Sequence, residues 1–416
     1  MTRRPAVADV PLIALALALS IFGVAMVYSA GQTDAPTAVA RLYRSQMLWV
    51  VVAIGAAFVV SRASVRLIEW AALPSYLFTL LLLVVTLVIG SGAGTAASSK
   101  SWLTIGGVRI GQPAELAKIT VVLMLARVLA SRREPPKSLL DLWQPALIVG
   151  IPWLLIMAQP DLGTGIVFVG IFFAMLFWSG VSWRLLLLVA SPAVSMVLAF
   201  NTRLWGAWFC LLLALVWTYK PYLFEGIIIV CLNVMMGVVA PIVWERLAPY
   251  QQKRLLVFLD PSIDARASGY HVIQSQVAIG SGGWFGKGFT EGTQKRLGYL
   301  PEQHTDFIFA VVGEELGFIG VTLALTLFLA LFLRTVRVAA RANDTYSSMV
   351  AFGLAASWLV HVFENVGMTL NLAPITGIPL PFFSYGGSFM LASWLAVGML
   401  ARISAEGRGR AAALAV

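Results

Sequence analysis

Two clusters of ionisable residues lie beside or within apolar stretches of the chain, where a charge is costly. Glu115 and Lys118 are three positions apart in the segment 112–118, so a helix that begins at Pro113 carries both on one face. A charge at the centre of a bilayer costs about 2.5–3.5 kcal/mol on insertion scales. The two residues therefore form either a self-neutralising pair near a membrane interface or part of a charged pocket inside a helix bundle.

The second cluster occupies residues 300–307, which end a long polar stretch and precede an apolar run. Asp306 could cap the helix that this run predicts, since aspartate is a preferred N-cap residue. Alternatively, a carboxylate that is partly removed from water has a raised pKa and can act as a general base. Glu302 and His304 are close enough in sequence to tune it, whereas Glu315, further into the same helix, is expected to be structural.

Three further positions each have a structural and a functional interpretation. Trp102 lies in an outer loop, where tryptophan joins the aromatic belt of a membrane protein or offers a stacking surface to a sugar. Asp161 lies in a tight turn at 159–165, either as a turn residue or as part of a polar site. The segment 374–388 is rich in Pro, Gly and Ser, and irregular backbone at membrane depth must line a cavity or be covered by protein.

The three histidines and two cysteines predict neither a metal site nor a disulfide framework. His361 lies within an apolar run, where a histidine with satisfied hydrogen bonds is expected rather than a metal ligand. His271 and His304 are far apart and lack metal-ligand spacing. Cys210 and Cys231 both lie inside apolar runs.

The composition indicates the elements that must position these residues. Of 416 residues, 59% are hydrophobic and 12% are charged, and the mean hydropathy is +0.87. Soluble domains are about 45–50% apolar and about 25% charged. The composition therefore argues against a soluble enzyme and excludes a disordered chain, a collagen and a disulfide scaffold. It predicts an all-α polytopic membrane protein.

About twelve apolar runs are candidates for transmembrane helices, and because they are continuous rather than alternating, helices are favoured over a barrel. They cover residues 11–30, 46–61, 71–92, 113–130, 142–158, 162–180, 185–200, 204–219, 226–244, 316–333, 347–363 and 386–401. The first is too long for a cleaved secretory signal and is followed by further spans, so it is expected to remain as a helix. The whole chain, 1–416, is predicted to be one integral membrane domain.

Lysine and arginine are concentrated at one set of helix ends, which predicts that both termini are cytoplasmic. The opposite short loops carry only Arg41, Arg44, Lys100, Arg109 and Arg203. This asymmetry accounts for much of the net charge of +10 without a nucleic-acid partner. The long polar segment of about 245–305 is then extracytoplasmic, and its aromatic residues and glycine turn favour an ordered, functional loop over disorder.

Ten motifs follow one another in the order of a known family. They lie at 101–103, 112–118, 159–164, 260–261, 269–275, 280–283, 300–309, 314–317, 379–381 and 384–388. Together they resemble the SEDS family of bacterial cell-wall glycosyltransferases, RodA and FtsW, over nearly the whole chain. The wording Leu-Pro-Glu-Gln-His-Thr-Asp-Phe at 300–307 is closer to RodA, the elongation member, than to FtsW.

The resemblance implies that lipid II is polymerised into glycan strands at the outer face of the bacterial cytoplasmic membrane, during cell elongation and cell-shape maintenance. It assigns catalysis to Asp306, the characteristic outer-loop tryptophan to Trp102, and the central cavity to Glu115 and Lys118. The chain departs from the family in two ways. Ala114 replaces the usual serine, and the region of about 185–244 supplies an extra helical pair beyond the usual ten spans.

The residues support this chemistry on their own terms. One general base is enough, because the pyrophosphate leaving group (of undecaprenyl pyrophosphate type) needs no proton, whereas a glycosidase needs two carboxylates. Direct attack by the acceptor 4-hydroxyl inverts the donor and forms a β-1,4 linkage. Lys118, with Arg44 or Arg254, would stabilise the pyrophosphate, and a divalent cation, Mg²⁺ or Mn²⁺, could replace or assist them. The full set predicted to bind substrate is Arg44, Trp102, Glu115, Lys118, Asp161, Arg254, Glu302 and His304.

Three other classes remain as alternatives. A major-facilitator transporter would carry a Gly-x-x-x-Asp-Arg-x-Gly type loop, which residues 61–66 do not match, and would place its charges at the midplane of two similar halves. A lipid II flippase would have a similar substrate and cavity. A non-catalytic scaffold would not need the cluster around Asp306. The resemblance further implies a class B penicillin-binding protein as the transpeptidase partner, together with other elongation-complex proteins.

Overall fold

The computed structural model describes residues 9–34, 38–92, 101–105, 108–247, 249–260, 268–300 and 302–414. Lys100, Pro261 and Pro301, which were considered above, lie outside these ranges. Twelve long helices are α1 (Val10–Ala30), α2 (Leu42–Arg62), α3 (Val65–Ile89), α4 (Pro113–Ala130), α5 (Trp143–Ala158), α6 (Leu162–Trp178), α7 (Trp183–Leu198), α8 (Thr202–Tyr219), α9 (Leu223–Arg246), α13 (Ile308–Ala340), α14 (Thr345–Thr369) and α15 (Gly387–Leu414). The helices α10 (Pro249–Leu259), α11 (Ser268–Ser281) and α12 (Thr293–Arg296) lie in the long loop, and β1 (Leu103–Ile105) pairs antiparallel with β2 (Val108–Gly111).

Each predicted apolar run coincides with a long helix, so the all-α membrane architecture is confirmed. Within the described ranges, nine helices are long and apolar enough to cross a membrane. Two more, α6 and α7, are apolar but have 17 and 16 residues. The last, α4, has 18 residues and carries charged side chains. The exact count of twelve spans and the sidedness of the termini stay predictions.

The buried core of the bundle surrounds α4 and α14, while the outer helices present apolar side chains to the membrane. Gly353 of α14 illustrates the close packing, because a Cβ there would lie 2.7 Å from both Val122 of α4 and Met175 of α6. On outward-facing positions, large apolar side chains are exposed, as at Val88 (81%) and Trp217 (80%). Lipid is the natural environment of such a surface.

Helices α7, α8 and α9 form a small side assembly with an apolar contact of its own, made by Leu188, Leu212 and Ile229. A buried polar network reinforces it. In this network the Asn233 amide nitrogen donates to Ser191 Oγ at 2.8 Å, and Ser195 Oγ donates to Asn233 Oδ1 at 2.5 Å. Three helices therefore fill the region in which the sequence places an extra pair.

The long loop that precedes α13 is folded against the bundle through a break in that helix. Gly317 has non-helical angles (φ 60°, ψ −156°), so the carbonyls of Glu314 and Glu315 are left without their usual helical partners. The backbone N–H groups of Lys287 and Gly288 donate to these two carbonyls, each at 3.0 Å. The expected ordering of this loop is confirmed for its described part.

Candidate active site

Asp306 lies in a turn that ends the long loop, and its side chain does not cap the following helix. Helix α13 begins at Ile308, and its N-cap residue is Phe307, which makes no side-chain capping bond. The capping interpretation of Asp306 is therefore wrong. The backbone turns back on itself here, since the N–H groups of Thr305 and Phe307 both donate to Glu302 O, at 3.1 and 3.2 Å.

Three hydrogen bonds join this turn to α1 and to the segment 374–388. They run from Gln303 Nε2 to Ala30 O (2.7 Å), from Ser384 Oγ to Thr305 O (2.7 Å) and from the Tyr385 N–H to His304 O (3.0 Å). Residues 374–386 are non-helical, and Phe382 and Phe383 among them are fully buried. The sequence prediction of irregular backbone covered by protein is confirmed.

Asn365 and Gly377 position Asp306 directly. The Asn365 amide nitrogen donates to Asp306 O at 2.8 Å and to Ile378 O at 2.7 Å, so one side chain ties the turn to the segment 374–388. Gly377 has φ 73°, and a Cβ added there would lie 3.3 Å from Asp306 Oδ2. The carboxylate of Asp306 therefore lies against the backbone of this segment.

The surroundings of Asp306 bring its pKa into the range of a general base. Burial, the largest cause, and the negative charge of Glu302 raise the pKa of Asp306, which lies at about 7. The positive charge of Arg254 and a hydrogen bond from Thr305 oppose this increase, while the charge of Asp161 adds to it. Near neutral pH the carboxyl group is thus divided between its protonated and ionised forms.

Asp161 connects two residues near Trp102 in the sequence, Ser101 and Gln112, to the start of α6. As N-cap of α6, its carboxylate accepts from the Thr164 N–H at 3.0 Å. It also accepts from Ser101 Oγ at 3.3 Å and from Gln112 Nε2 at 3.2 Å. Trp102, next to Ser101, is half-buried. Both interpretations of Asp161, as a turn residue and as part of a polar cluster, therefore apply.

Glu115 and Lys118 face the interior of the bundle, as one of the two sequence interpretations predicts. Both side chains are about 4–5% exposed, and Lys118 Nζ lies 2.7 Å from Glu115 Oε2. Lys118 Nζ also lies 2.7 Å from His361 Nε2, and His361 Nδ1 lies 3.1 Å from Pro379 O. Because lysine only donates and a carbonyl only accepts, the imidazole carries its proton on Nδ1. His361 is thus the expected satisfied core histidine.

This buried group connects with the segment that supports Asp306. Lys118 contacts His361, His361 holds Pro379, and Gly377 lies two residues earlier against Asp306. A cavity of about 20 Å³ lies beside the ion pair, which is room for one water molecule. The pair is therefore a buried support beneath the turn of Asp306.

The remaining predicted residues, at or near the Asp306 end of the bundle, differ in their exposure. Arg44 is exposed near the start of α2, where its Nε donates to Tyr43 OH at 3.1 Å. Arg254 is half-buried in α10. Glu302 is exposed, and His304 lies 4.0 Å from it. Burial lowers the pKa of His304, against the opposing charge of Glu302.

Two amide side chains that sequence reasoning missed are central to this arrangement. Asn365 holds Asp306, and Gln46 of α2 donates to Ser384 O at 2.9 Å and accepts from the Gly386 N–H at 3.2 Å. Both amide side chains are buried. Gln46 begins a predicted apolar span, and an amide there was an available signal because such a group must find hydrogen-bond partners within the protein. Asn365 lies two positions beyond the predicted run 347–363 and gave no such signal.

The described residues contain no cluster of three or more His, Cys, Asp or Glu side chains that could hold a metal ion. A Mg²⁺ ion can instead be held by one or two carboxylates and the phosphates of a substrate. The role of a divalent cation therefore stays a prediction, and no step below depends on it.

The sequence and the fold of this chain are similar to those of known proteins. The model of the cell cycle protein family FtsW/RodA/SpoVE matches residues 10–208 and 200–409. The chain belongs to this family. The chain is 35% identical to the peptidoglycan glycosyltransferase MrdB of Escherichia coli over 95% of its own length and 93% of MrdB.

Two solved structures of the FtsW/RodA/SpoVE fold superpose on nearly the whole chain. One belongs to a peptidoglycan synthase complex that coordinates polymerization and crosslinking, with a TM-score of 0.70, 28% identity and coverage of 96% of this chain and 98% of that one. The other is an aspartate-to-alanine variant of the rod shape determining protein RodA of Thermus thermophilus. It has a TM-score of 0.63, 27% identity and coverage of 95% and 97%.

Proposed function

We propose that the chain is a peptidoglycan glycosyltransferase that polymerises lipid II into glycan strands during cell elongation and cell-shape maintenance. The observation that carries this proposal is the Asp306 carboxyl, which is held against Gly377 and has a pKa of about 7. The similarity to MrdB and to RodA over nearly the full length supports the same activity. Membership of the family alone would leave the residues of the reaction unassigned.

In the proposed reaction Asp306 accepts the proton of the acceptor sugar's 4-hydroxyl as that oxygen attacks the anomeric carbon of the donor. The new C–O bond forms as the bond to the pyrophosphate oxygen breaks, and the electron pair leaves with the pyrophosphate. Attack from the opposite side inverts the α-linked donor and gives a β-1,4 linkage. A positioned base of this kind contributes about 10²–10⁴-fold to the rate.

The leaving pyrophosphate requires positive charge rather than a second acid. Arg254 is the best placed of the predicted cations, because its charge acts on Asp306 itself. Arg44 is exposed and available to a phosphate at the membrane surface. Lys118 is buried against Glu115, so its contribution would act through the buried support rather than from an open position. Trp102 offers a half-buried ring as a stacking surface for a sugar.

The proposed location is the bacterial cytoplasmic membrane, with Asp306 at the extracytoplasmic face and both termini in the cytoplasm. The concentration of Lys and Arg at the opposite helix ends supports this orientation. The proposed partner is a class B penicillin-binding protein that crosslinks the strands, together with other elongation-complex proteins. The similar chain from a synthase complex that coordinates polymerization and crosslinking supports such a pairing.

Polymerisation of purified lipid II tests the role of Asp306. With the penicillin-binding partner present, the wild type is expected to give a ladder of glycan strands, and Asp306→Asn is expected to lose about 10²–10⁴-fold in rate. Glu291→Gln is the matched control, because Glu291 is an exposed carboxylate of the same loop that contacts Arg296 at 3.2 Å.

Equal rates for wild type and Asp306→Asn would contradict the base assignment. Translocation of labelled lipid II across vesicles by both proteins, without any polymer, would favour the flippase alternative. Asp306→Asn replaces one oxygen by nitrogen at nearly constant shape, so its thermal unfolding midpoint in detergent is expected to stay close to that of the wild type.

A further inference from the structure

A cavity lined mainly by arginine residues lies at the end of the bundle opposite Asp306. Its volume is about 440 Å³, and it lies between the C-terminal ends of α13 and α15. Its lining residues are Arg334, Arg337, Val338, Arg341, Ser404, Gly407 and Arg408. None of these residues takes part in the reaction proposed for Asp306.

The cavity carries more positive charge than its neighbours neutralise. Asp9 accepts from Arg334 Nε at 3.0 Å and from Arg334 Nη2 at 2.9 Å, and it lies 3.7 Å from Arg408. Burial would raise the pKa of Asp9, but hydrogen bonds from Arg334 and Ser404 outweigh burial and lower it, so Asp9 is ionised. Among the described residues, the Asp9 carboxylate thus contacts two of the four arginines that line the cavity, Arg334 and Arg408.

Arg337 and Arg341 supply the excess charge. Both are exposed, and no described Asp or Glu carboxylate lies within 4.0 Å of either guanidinium. Arg337 lies in the last turn of α13 and Arg341 is its C-cap residue, and both line the cavity. The two side chains are therefore available to an anion from outside the chain.

The position of the cavity along α13 matches the level of lipid headgroups. Counted from Phe318, just after the break at Gly317, Arg334 and Arg341 lie about 24 and about 35 Å along the helix at 1.5 Å per residue. The hydrocarbon core is about 30 Å thick, and the bilayer with its headgroup regions is about 40–45 Å thick. The arginines therefore span the boundary between the hydrocarbon core and the headgroups at this end of the helix.

We propose that this arginine cavity, lined by Arg334, Arg337, Arg341 and Arg408, binds the phosphate headgroup of an anionic membrane lipid. Topology alone requires positive charge at this membrane face, but it does not require four guanidinium groups to converge on one concavity. Guanidinium groups match phosphate oxygens in pairs, and basic cavities between membrane helices bind anionic headgroups. The volume also accommodates a phosphate with its glycerol, since small-molecule sites have volumes of about 300–1,000 Å³.

Lipid binding to the full-length protein in zwitterionic detergent micelles tests this proposal without lipid II. Phosphatidylglycerol is titrated, and bound lipid is counted by native mass spectrometry. Each arginine near an anionic surface contributes about 1 kcal/mol, or about fivefold in affinity. The double variant Arg337→Gln with Arg341→Gln is therefore expected to bind about 30-fold more weakly.

The matched control removes the same charge elsewhere on the same membrane face. Arg62 ends α2 and Arg66 lies in the first turn of α3, and both are exposed. The variant Arg62→Gln with Arg66→Gln is expected to bind the lipid within about twofold of the wild type, because neither residue lines the cavity. If the double variant unfolds at a lower temperature without lipid, Arg341→Gln alone is expected to show the fivefold loss.

Equal losses in both double variants, or no loss in either, would overturn the proposal. A second pair of results would also overturn the proposal: excess inorganic phosphate displaces phosphatidylglycerol, and the protein binds phosphatidylcholine as strongly as phosphatidylglycerol. The cavity would then be assigned to free phosphate rather than to a lipid headgroup. None of these outcomes depends on Asp306 or on polymerisation, so the two proposals fail independently.

Discussion

At the scale of the residue, two nearby charges of opposite sign shift the pKa of Asp306 in opposite directions. Glu302 precedes it by four positions in the same turn, and Arg254 approaches from α10 in the long loop. The negative charge raises the pKa of Asp306 and the positive charge lowers it. Removing one or the other is therefore expected to shift this pKa in opposite directions. A general base works only in its ionised form, so the activity is expected to rise with pH through about 7.

The pH dependence of kcat/KM for lipid II should therefore move in opposite directions in two variants. Glu302→Gln removes a charge that raises the pKa of Asp306, so the acid limb is expected to move to lower pH. Arg254→Gln removes a charge that lowers it, so the limb is expected to move to higher pH. Glu291→Gln, which removes an exposed carboxylate of the same loop, should leave the limb in place. Shifts of the same sign in the first two variants would contradict the assignment of this limb to Asp306.

Asn365 is a positioning residue, and its replacement should reduce turnover more than substrate binding. In Asn365→Leu, Asp306 O and Ile378 O both lose their donor, and the turn can move relative to the segment 374–388. A displacement of about 1 Å at a reacting group can cost about 10²-fold, so kcat is expected to fall by that order with a smaller change in KM.

Asn233→Leu provides the matched control for Asn365→Leu. Asn233 is also a buried amide in a long helix, and it bonds to Ser191 and Ser195 within the α7–α9 assembly. This variant is expected to lower the thermal unfolding midpoint while kcat stays within about threefold, since no contact of Asp306 is removed. A loss of kcat of the same size in both variants would show that the effect of Asn365 is one of general stability.

At the scale of the element, the long loop depends on the interruption of α13. Gly286 has φ 76°, and a Cβ added there would lie 2.0 Å from Glu315 O, so only glycine allows the loop to approach so closely. Beneath it, the fully buried Lys295 Nζ contacts Glu315 Oε1 at 2.6 Å and donates to Ser29 O of α1 at 2.6 Å. This confirms the structural role predicted for Glu315.

Removing one partner of this buried pair should destabilise the protein strongly. In Lys295→Met, the Glu315 carboxylate keeps a contact with Ser29 but loses its cation, a change that costs about 3–5 kcal/mol in buried pairs. The measurement is the free energy of unfolding in detergent. The double variant Lys295→Met with Glu315→Leu is expected to recover much of the loss, because no buried charge is left.

Lys287→Met serves as the comparison, because its ion pair with Glu314 is less buried. Lys287 is 25% exposed and lies 2.8 Å from Glu314 Oε1. Its removal leaves Glu314 with donors from Thr293 and from the Gln294 N–H, so a smaller loss than that of Lys295→Met is expected. An equal loss in the two variants would mean that burial does not determine the contribution of the pair.

At the scale of the whole molecule, the chemistry and the positive charge lie at opposite ends of the bundle. The turn of Asp306 precedes α13, whereas Arg334, Arg337 and Arg341 lie in its last turns or at its end. The direction of the chain in α13 thus relates the proposed outer site to the basic face. Any test of sidedness therefore also tests whether Asp306 can reach a substrate outside the cytoplasm.

Labelling of single cysteines in intact cells tests this orientation. In a background without Cys210 and Cys231, Glu291→Cys in the long loop is expected to react with a membrane-impermeant maleimide. Glu134→Cys, between α4 and α5 on the basic side, is expected to react only after permeabilisation. Both positions are exposed, so accessibility alone does not distinguish them. The reverse pattern would place Asp306 in the cytoplasm and contradict the proposed reaction site.

Much of the architecture was predictable because the membrane limits the structures available to an apolar run. Every predicted run corresponds to a long helix, and the largest boundary differences are at the end of α15, at 414 rather than 401, and at the start of α13, at 308 rather than 316. The first turns of α13 contain Glu314 and Glu315. Because these charged residues lower the local hydropathy, the apolar pattern did not predict that the helix begins at 308. Pairing with Lys287 and Lys295 makes their burial tolerable.

The sequence by itself determined the helices and the polar loop and indicated Asp306 as the candidate base, since each depends on local composition or on a motif of a few residues. The tertiary structure alone decided which groups surround Asp306. Asp161 and Asn365 are 145 and 59 positions from Asp306 in the sequence, and nothing local to either residue specifies that it lies near Asp306 in the fold. The same holds for the arginine cavity, because the arginines of α13 and α15 converge only when those helices pack together. The packing of distant helices, rather than the pattern along any one of them, sets the pKa of Asp306 and creates the second site.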